Sequence, residues 1–329
     1  MPDPLLFLKA MGAAAIVSAV FVLAMGRMRR RVGTTWLNSA WLNSTCVLGT
    51  GFGLAVGCFV LSLRWTWPPV HGLDRFLTIV VPAVLGIELI AGFQSVPRRV
   101  AWFLRMSLAA AVPRILLHGS VYLIHRNGSD NDWTPWQAGF ALAVCAGLLA
   151  AVWGLLSWLT HRSPGVSIPL ALGLTIQCAG LTVMMAGYIK GGAAAFPLAA
   201  TLVATTIVAG LIARRTGTLA HFGVPTNCGV PALLGIGVVG LFGVLFIGRF
   251  FGQLSTGSAL AMLLAPLLCW ATEIPLLRHR KPWLVGSLRL VLVTILLAVV
   301  LALAKRDFDR HLAPLLGMRF PIMSLWQTD

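Results

Sequence analysis

The chain has 329 residues, of which 58% are hydrophobic and only 10% charged, and its formal net charge is +16. An ordinary soluble domain carries about 25% charged residues, and a mean hydropathy of +0.88 leaves more apolar surface than one core of this size can hide, so a soluble globular enzyme is excluded and lipid is the expected solvent. The six cysteines stand singly in apolar stretches, which excludes a disulfide scaffold and supplies no metal-ligand spacing, so no cofactor is expected.

Apolar stretches of about 20 residues, the length a helix needs to cross hydrocarbon, predict ten spans at 4–26, 44–63, 76–94, 100–123, 137–159, 166–189, 193–213, 229–248, 256–276 and 284–304. The expected fold class is an all-α, polytopic transmembrane helix bundle with short loops: one integral membrane domain over 1–329, with a short C-terminal tail over 305–329. After the first span come Arg27, Arg29, Arg30 and Arg31. A positive cluster behind the apolar stretch marks a retained anchor, because a signal peptide carries its charge in front. Trp36-Leu37-Asn38-Ser39 repeats as Trp41-Leu42-Asn43-Ser44 and leads into the second span, with Asn43 opening a glycosylation sequon, as Asn127 does later. The second span holds Gly49, Gly53 and Gly57, a stripe that admits a neighbouring backbone closely, here expected to be another helix of the same chain.

Ionisable residues inside spans are costly and are the default functional candidates. Span three has Glu88; span four has Arg105, Arg114 directly after Pro113, and His118. The loop that follows carries Asp130 and Asp132, spaced like calcium ligands but without the remaining positions of a calcium loop. Span six offers Gln177 as a polar lining candidate. Before span eight a repeated Gly-Val-Pro, at 223–225 and 229–231, flanks Thr226 and Asn227. Two prolines six residues apart prevent a continuous helix, and transporters use such breaks to bind solutes, although an ordinary connection has the same composition. Span eight is rich in glycine, at 235, 237, 240, 243 and 248, and Gln253 precedes span nine. Glu273 closes span nine, Arg278-His279-Arg280-Lys281 forms the next loop, and Arg289 lies in span ten. Trp65, Trp67, Trp133, Trp136, Trp283 and Trp326 fall near span ends, where an indole prefers the headgroup level.

Glu88 to Arg105 and Glu273 to Arg289 repeat one pattern: an acid on a descending arm, a basic loop, and an arginine on the rising arm, 17 and 16 residues apart. Each pair can meet near the headgroup boundary, either as a neutralised brace or as part of a polar site. In the second case Arg105, Arg114, His118 and Arg289 outnumber the acids and would attract a carboxylate or phosphate, with Glu88 the nearest counter-ion for a mid-span Arg114.

Loops after odd-numbered spans hold twelve Lys and Arg, against five after even-numbered ones. Positive loops stay in the cytoplasm, which predicts both termini outside, most simply in a bacterial cytoplasmic (inner) membrane. Because the basic residues mark span ends, no nucleic-acid partner is expected. No metalloprotease, serine-hydrolase or phosphotransfer motif is present, so catalysis is not expected. The function expected is a small permease or flippase for an anionic or amphipathic small molecule, using Glu88, Arg105, Arg114, His118, Glu273, Arg289, Thr226 and Asn227. The alternative is a non-catalytic subunit of a larger membrane complex, whose partners would be other membrane proteins as well as membrane lipid.

Overall fold

The computed structural model describes residues 4–31, 39–63, 66–93, 95–120, 134–163, 165–215, 231–273 and 282–311. Among them there is no strand, and ten helices are long and apolar enough to cross a membrane, the architecture of a multi-pass integral membrane protein. They are α1 (Pro4–Arg31), α2 (Ser39–Val60), α3 (Gly72–Gly92), α4 (Arg98–Leu117), α5 (Pro135–Arg162), α6 (Ser167–Met185), α7 (Ile189–Arg215), α8 (Pro231–Phe250), α9 (Thr256–Glu273) and α10 (Pro282–His311). Thr226 and Asn227 with their flanking prolines, Asp130 and Asp132, and the basic residues 278–281 lie outside the described residues.

Most predicted ends move by a few residues, and two move furthest. Span four stops at Leu117 instead of 123, because His118 turns to an extended backbone and Gly119 adopts a φ of +67°, which glycine takes without strain. Span ten runs on to His311, so Lys305 to Arg310 form its last two turns, and 312–329 of the expected tail lie outside the described residues.

α8 forms the axis and touches α2, α3, α4, α5, α6, α7 and α9. Every residue from Ala232 to Gly248 is buried. Its glycines are sockets for neighbouring side chains: Phe76 of α3 fits at Gly243, Trp153 of α5 at Gly235, Leu198 of α7 at Gly240 and Val183 of α6 at Gly248. Small residues let helices approach where lipid offers no hydrophobic drive to squeeze them together. The α2 stripe works in the same way and inside the chain. A β-carbon on Gly53 would lie 2.6 Å from the Ala14 carbonyl oxygen and 2.6 Å from Thr201 Cγ2, and one on Gly49 would lie 2.8 Å from Val22 Cγ2. The facing stripe of α1 is Ala10, Ala14, Ser18 and Val22, one residue per turn and all fully buried.

Two helices are irregular, each at a proline. In α3 the turn Phe76–Val80 is a π segment ahead of Pro82, with the Val81 amide donating back to the Phe76 carbonyl. In α9 the second half, Ala265–Glu273, is 3-10 helix, with Pro266 its second residue. Proline has no amide to donate and crowds the preceding turn, so the ladder shifts register at both places. Trp67, Trp136 and Trp283 are strongly exposed beside helix ends, as an interfacial belt requires.

Candidate functional site

Both acid–base pairs form, at the same end of the bundle. Glu88 accepts from Arg105 Nε at 2.9 Å and from Nη2 at 2.6 Å, a two-pronged contact between α3 and α4. Glu88 is fully buried, while the Arg105 side chain is 20% exposed. The carboxylate lies against Gly235 of α8, where a β-carbon would stand 2.8 Å from Glu88 Cδ and 2.9 Å from Trp153 Cζ2. Asn43 of α2 completes the junction: its Nδ2 donates to the Glu88 main-chain carbonyl at 3.3 Å, and its Oδ1 accepts from the Ala232 amide at 3.2 Å in the first turn of α8. α2, α4 and α8 therefore meet α3 at Glu88, and α5 reaches the same junction through Trp153.

The second junction inverts the burial. Arg289 is the enclosed partner, its side chain 3% exposed against 19% for Glu273. Its Nε donates to Thr272 Oγ1 at 2.7 Å, Nη1 to Ser167 Oγ at 3.3 Å, and Nη2 to Ser163 Oγ at 2.8 Å and Glu273 Oε1 at 2.9 Å. One guanidinium thus joins the start of α10 to the end of α9 and to the residues linking α5 and α6. Its planar fork reaches four acceptors that a lysine ammonium could not satisfy from one position.

Arg114 and His118 do not join these junctions. Arg114 lies in the last turn of α4, exposed and without a polar partner among the described residues, and Glu88 is engaged by Arg105. Helix geometry explains the correction. Nine residues separate the two arginines, about 13.5 Å of rise and two and a half turns, so they leave α4 on opposite sides. The His118 side chain is exposed, and its main-chain carbonyl accepts from Arg75 Nη1. Gln177 reaches Met11 Sδ at 3.7 Å.

At the opposite end of the bundle a cleft of about 320 Å³ opens between the last turn of α6, the start of α9 and the end of α10. Thr182, Gln253, Ser258 and Asp307 supply its polar wall, with Met185 and Phe308 on the apolar side. The floor follows from how the chain leaves α8: the Gln253 amide donates to the Ala186 carbonyl at 2.9 Å and the Leu254 amide to the Gly248 carbonyl at 3.2 Å. Ser255 then caps α9, accepting from the Ser258 amide at 3.2 Å.

Sequence reasoning named Gln253 of this cleft and missed Asp307, which reads in sequence as one charge of a polar tail. It also missed Asn43, Ser163, Ser167 and Thr272. Asn43 reads as a sequon at a membrane surface, but it is 5% exposed and hydrogen-bonded at both ends of its amide. Uncharged hydroxyls and amides carry no intramembrane cost large enough to stand out in a sequence, and what could have found these four is their placement near helix ends on the face of the paired charges. No protein-family model matches the chain, and no curated protein matches its sequence significantly.

Proposed function

We propose that the chain is a small permease or flippase for an amphipathic small molecule, and that the path runs between α6, α9 and α10. One observation carries this reading. The same three helices are parted at one end by the cleft and tied at the other by Arg289. From Arg289 to Ala304 at the cleft is fifteen residues, about 22 Å of α-helical rise. Between them these helices carry buried apolar residues, including Ile176, Met262, Val293 and Leu297. Open at one end and closed by a polar latch at the other is one half of an alternating-access cycle, and the latch is the element that releases in the other half. The Glu88–Arg105 pair serves as a fixed brace behind it.

The excess of basic residues on the latch side fits a cytoplasmic position for that side, with both termini outside and the cleft facing outward, in an inner membrane of a bacterial cell. The test is flux through purified chain in liposomes, using whatever small molecule copurifies and is identified by mass spectrometry. Ser258→Trp, which fills the cleft, is expected to abolish flux and leave the thermal midpoint unchanged. Undiminished flux in that variant removes the reading. A second reading, a non-catalytic subunit of a membrane complex, draws on the full internal pairing of Glu88 and Arg289. Stoichiometric partner proteins after mild-detergent purification, with no bound small molecule, favour it.

A further inference from the structure

Resting on the permease reading for its role but not for its existence, we infer that the cleft between α6, α9 and α10 is a binding site for a small organic cation, an amine with an apolar body. The two guanidinia that made an anion attractive in the sequence are engaged by Glu88 and Glu273, at the far end of the bundle. Arg114 belongs to α4 and takes no part in the cleft wall. Among the described residues the one charged side chain lining the cleft is Asp307, which is exposed and forms no ion pair or hydrogen bond there.

The remaining wall is also rich in acceptors. Thr182 Oγ1 directs its proton to the Ala179 carbonyl at 2.9 Å and keeps its lone pairs, while Ser255 Oγ directs its own to Ser258 Oγ at 2.8 Å and, accepting the Ser258 amide, keeps one. α6 and α10 both end here, and their carbonyl ends add partial negative charge; α9 starts here, with its first turn capped by Ser255. Phe308 and Met185 provide a ring face and a polarisable sulfur for the apolar body, and a cation beside a ring face is itself attracted to it. Lys305, Arg306 and Arg310 share the end of α10 with Asp307. All three are exposed and none pairs with it. They oppose cations in the bulk approach, so the site selects a ligand that reaches contact distance over one that merely accumulates. A volume of about 320 Å³ lies at the small end of ligand pockets.

The probe is phenethylammonium, with 3-phenylpropionate as its anionic counterpart of similar size. Equilibrium binding of both is measured on the full chain in phosphatidylcholine nanodiscs, a zwitterionic surface that does not itself collect amines. The expected result is saturable binding of phenethylammonium, at least tenfold weaker in Asp307→Asn and unaltered in Asp309→Asn, with no binding of 3-phenylpropionate. Equal or tighter binding of the carboxylate, absence of amine binding, or amine binding unaffected by Asp307→Asn overturns the inference. Flux in liposomes is followed in parallel. Asp307-dependent binding without any flux retains the site and removes the permease, whereas flux of 3-phenylpropionate blocked by Ser258→Trp retains the permease and removes the cation site.

Discussion

Glu88 and Arg105 have unequal access to water, and the difference decides what each can tolerate losing. A released Arg105 has a long apolar stem and a partly exposed head, and it can turn its charge toward the headgroups. Glu88 is fully buried and has no such route. Arg105→Met is therefore expected to cost about 3–5 kcal/mol, the usual penalty for stranding a buried charge. Glu88→Gln is expected to cost clearly less, and the double variant Glu88→Met with Arg105→Met less than Arg105→Met alone; thermal unfolding of the three in one detergent checks the order. Both ion pairs were readable in sequence, because an acid and an arginine at matching depths on two arms of one hairpin have few other partners. The role assigned to Arg114 was not, because its depth was counted along a span that the structure ends six residues early. The half-turn offset from Arg105 was available from the residue numbers alone.

At the level of the helix, mean hydropathy located every span and sorted none of them by position. α10 is the most hydropathic helix and is mostly unburied, whereas the less hydropathic α8 is buried along nearly its whole length. Lipid is as apolar as leucine, so a bundle in a bilayer separates inside from outside by side-chain size and not by polarity. The glycine content of α8 and the stripe on α2 were therefore the informative signals. Gly53→Ala places a methyl against main chain of α1, which cannot retreat without moving the helix, and is expected to lower stability by about 1–3 kcal/mol. Gly147→Ala in α5 is the control: no neighbour lies within 4 Å of its would-be β-carbon, and the change is expected to be neutral or to add up to about 1 kcal/mol through helix propensity. Thermal midpoints of the two variants, read side by side, test whether close packing or glycine itself is what α2 requires.

For the molecule as a whole, the number of spans was legible from length and composition, because ten apolar stretches leave no other way to satisfy the backbone in lipid. The cleft was not, since it is built by three helix ends distant in sequence. The orientation proposed from the basic residues is checked by a C-terminal reporter: alkaline phosphatase fused after Asp329 is expected to be active and a fluorescent-protein fusion dark, and the reverse pattern inverts the molecule. The 3-10 half of α9 bears on the bilayer itself. Nine α-helical residues and nine 3-10 residues reach about 31.5 Å, while eighteen α-helical residues reach about 27 Å. The hydrocarbon layer is about 30 Å thick, so the stretched form matches an average membrane and the relaxed form a thin one. Recoiling that half shortens α9 by about 4.5 Å, enough to draw Glu273 away from Arg289. Short-chain lipids are thus expected to loosen that contact and long-chain lipids to tighten it, giving the protein a response to membrane thickness with no sensor domain attached.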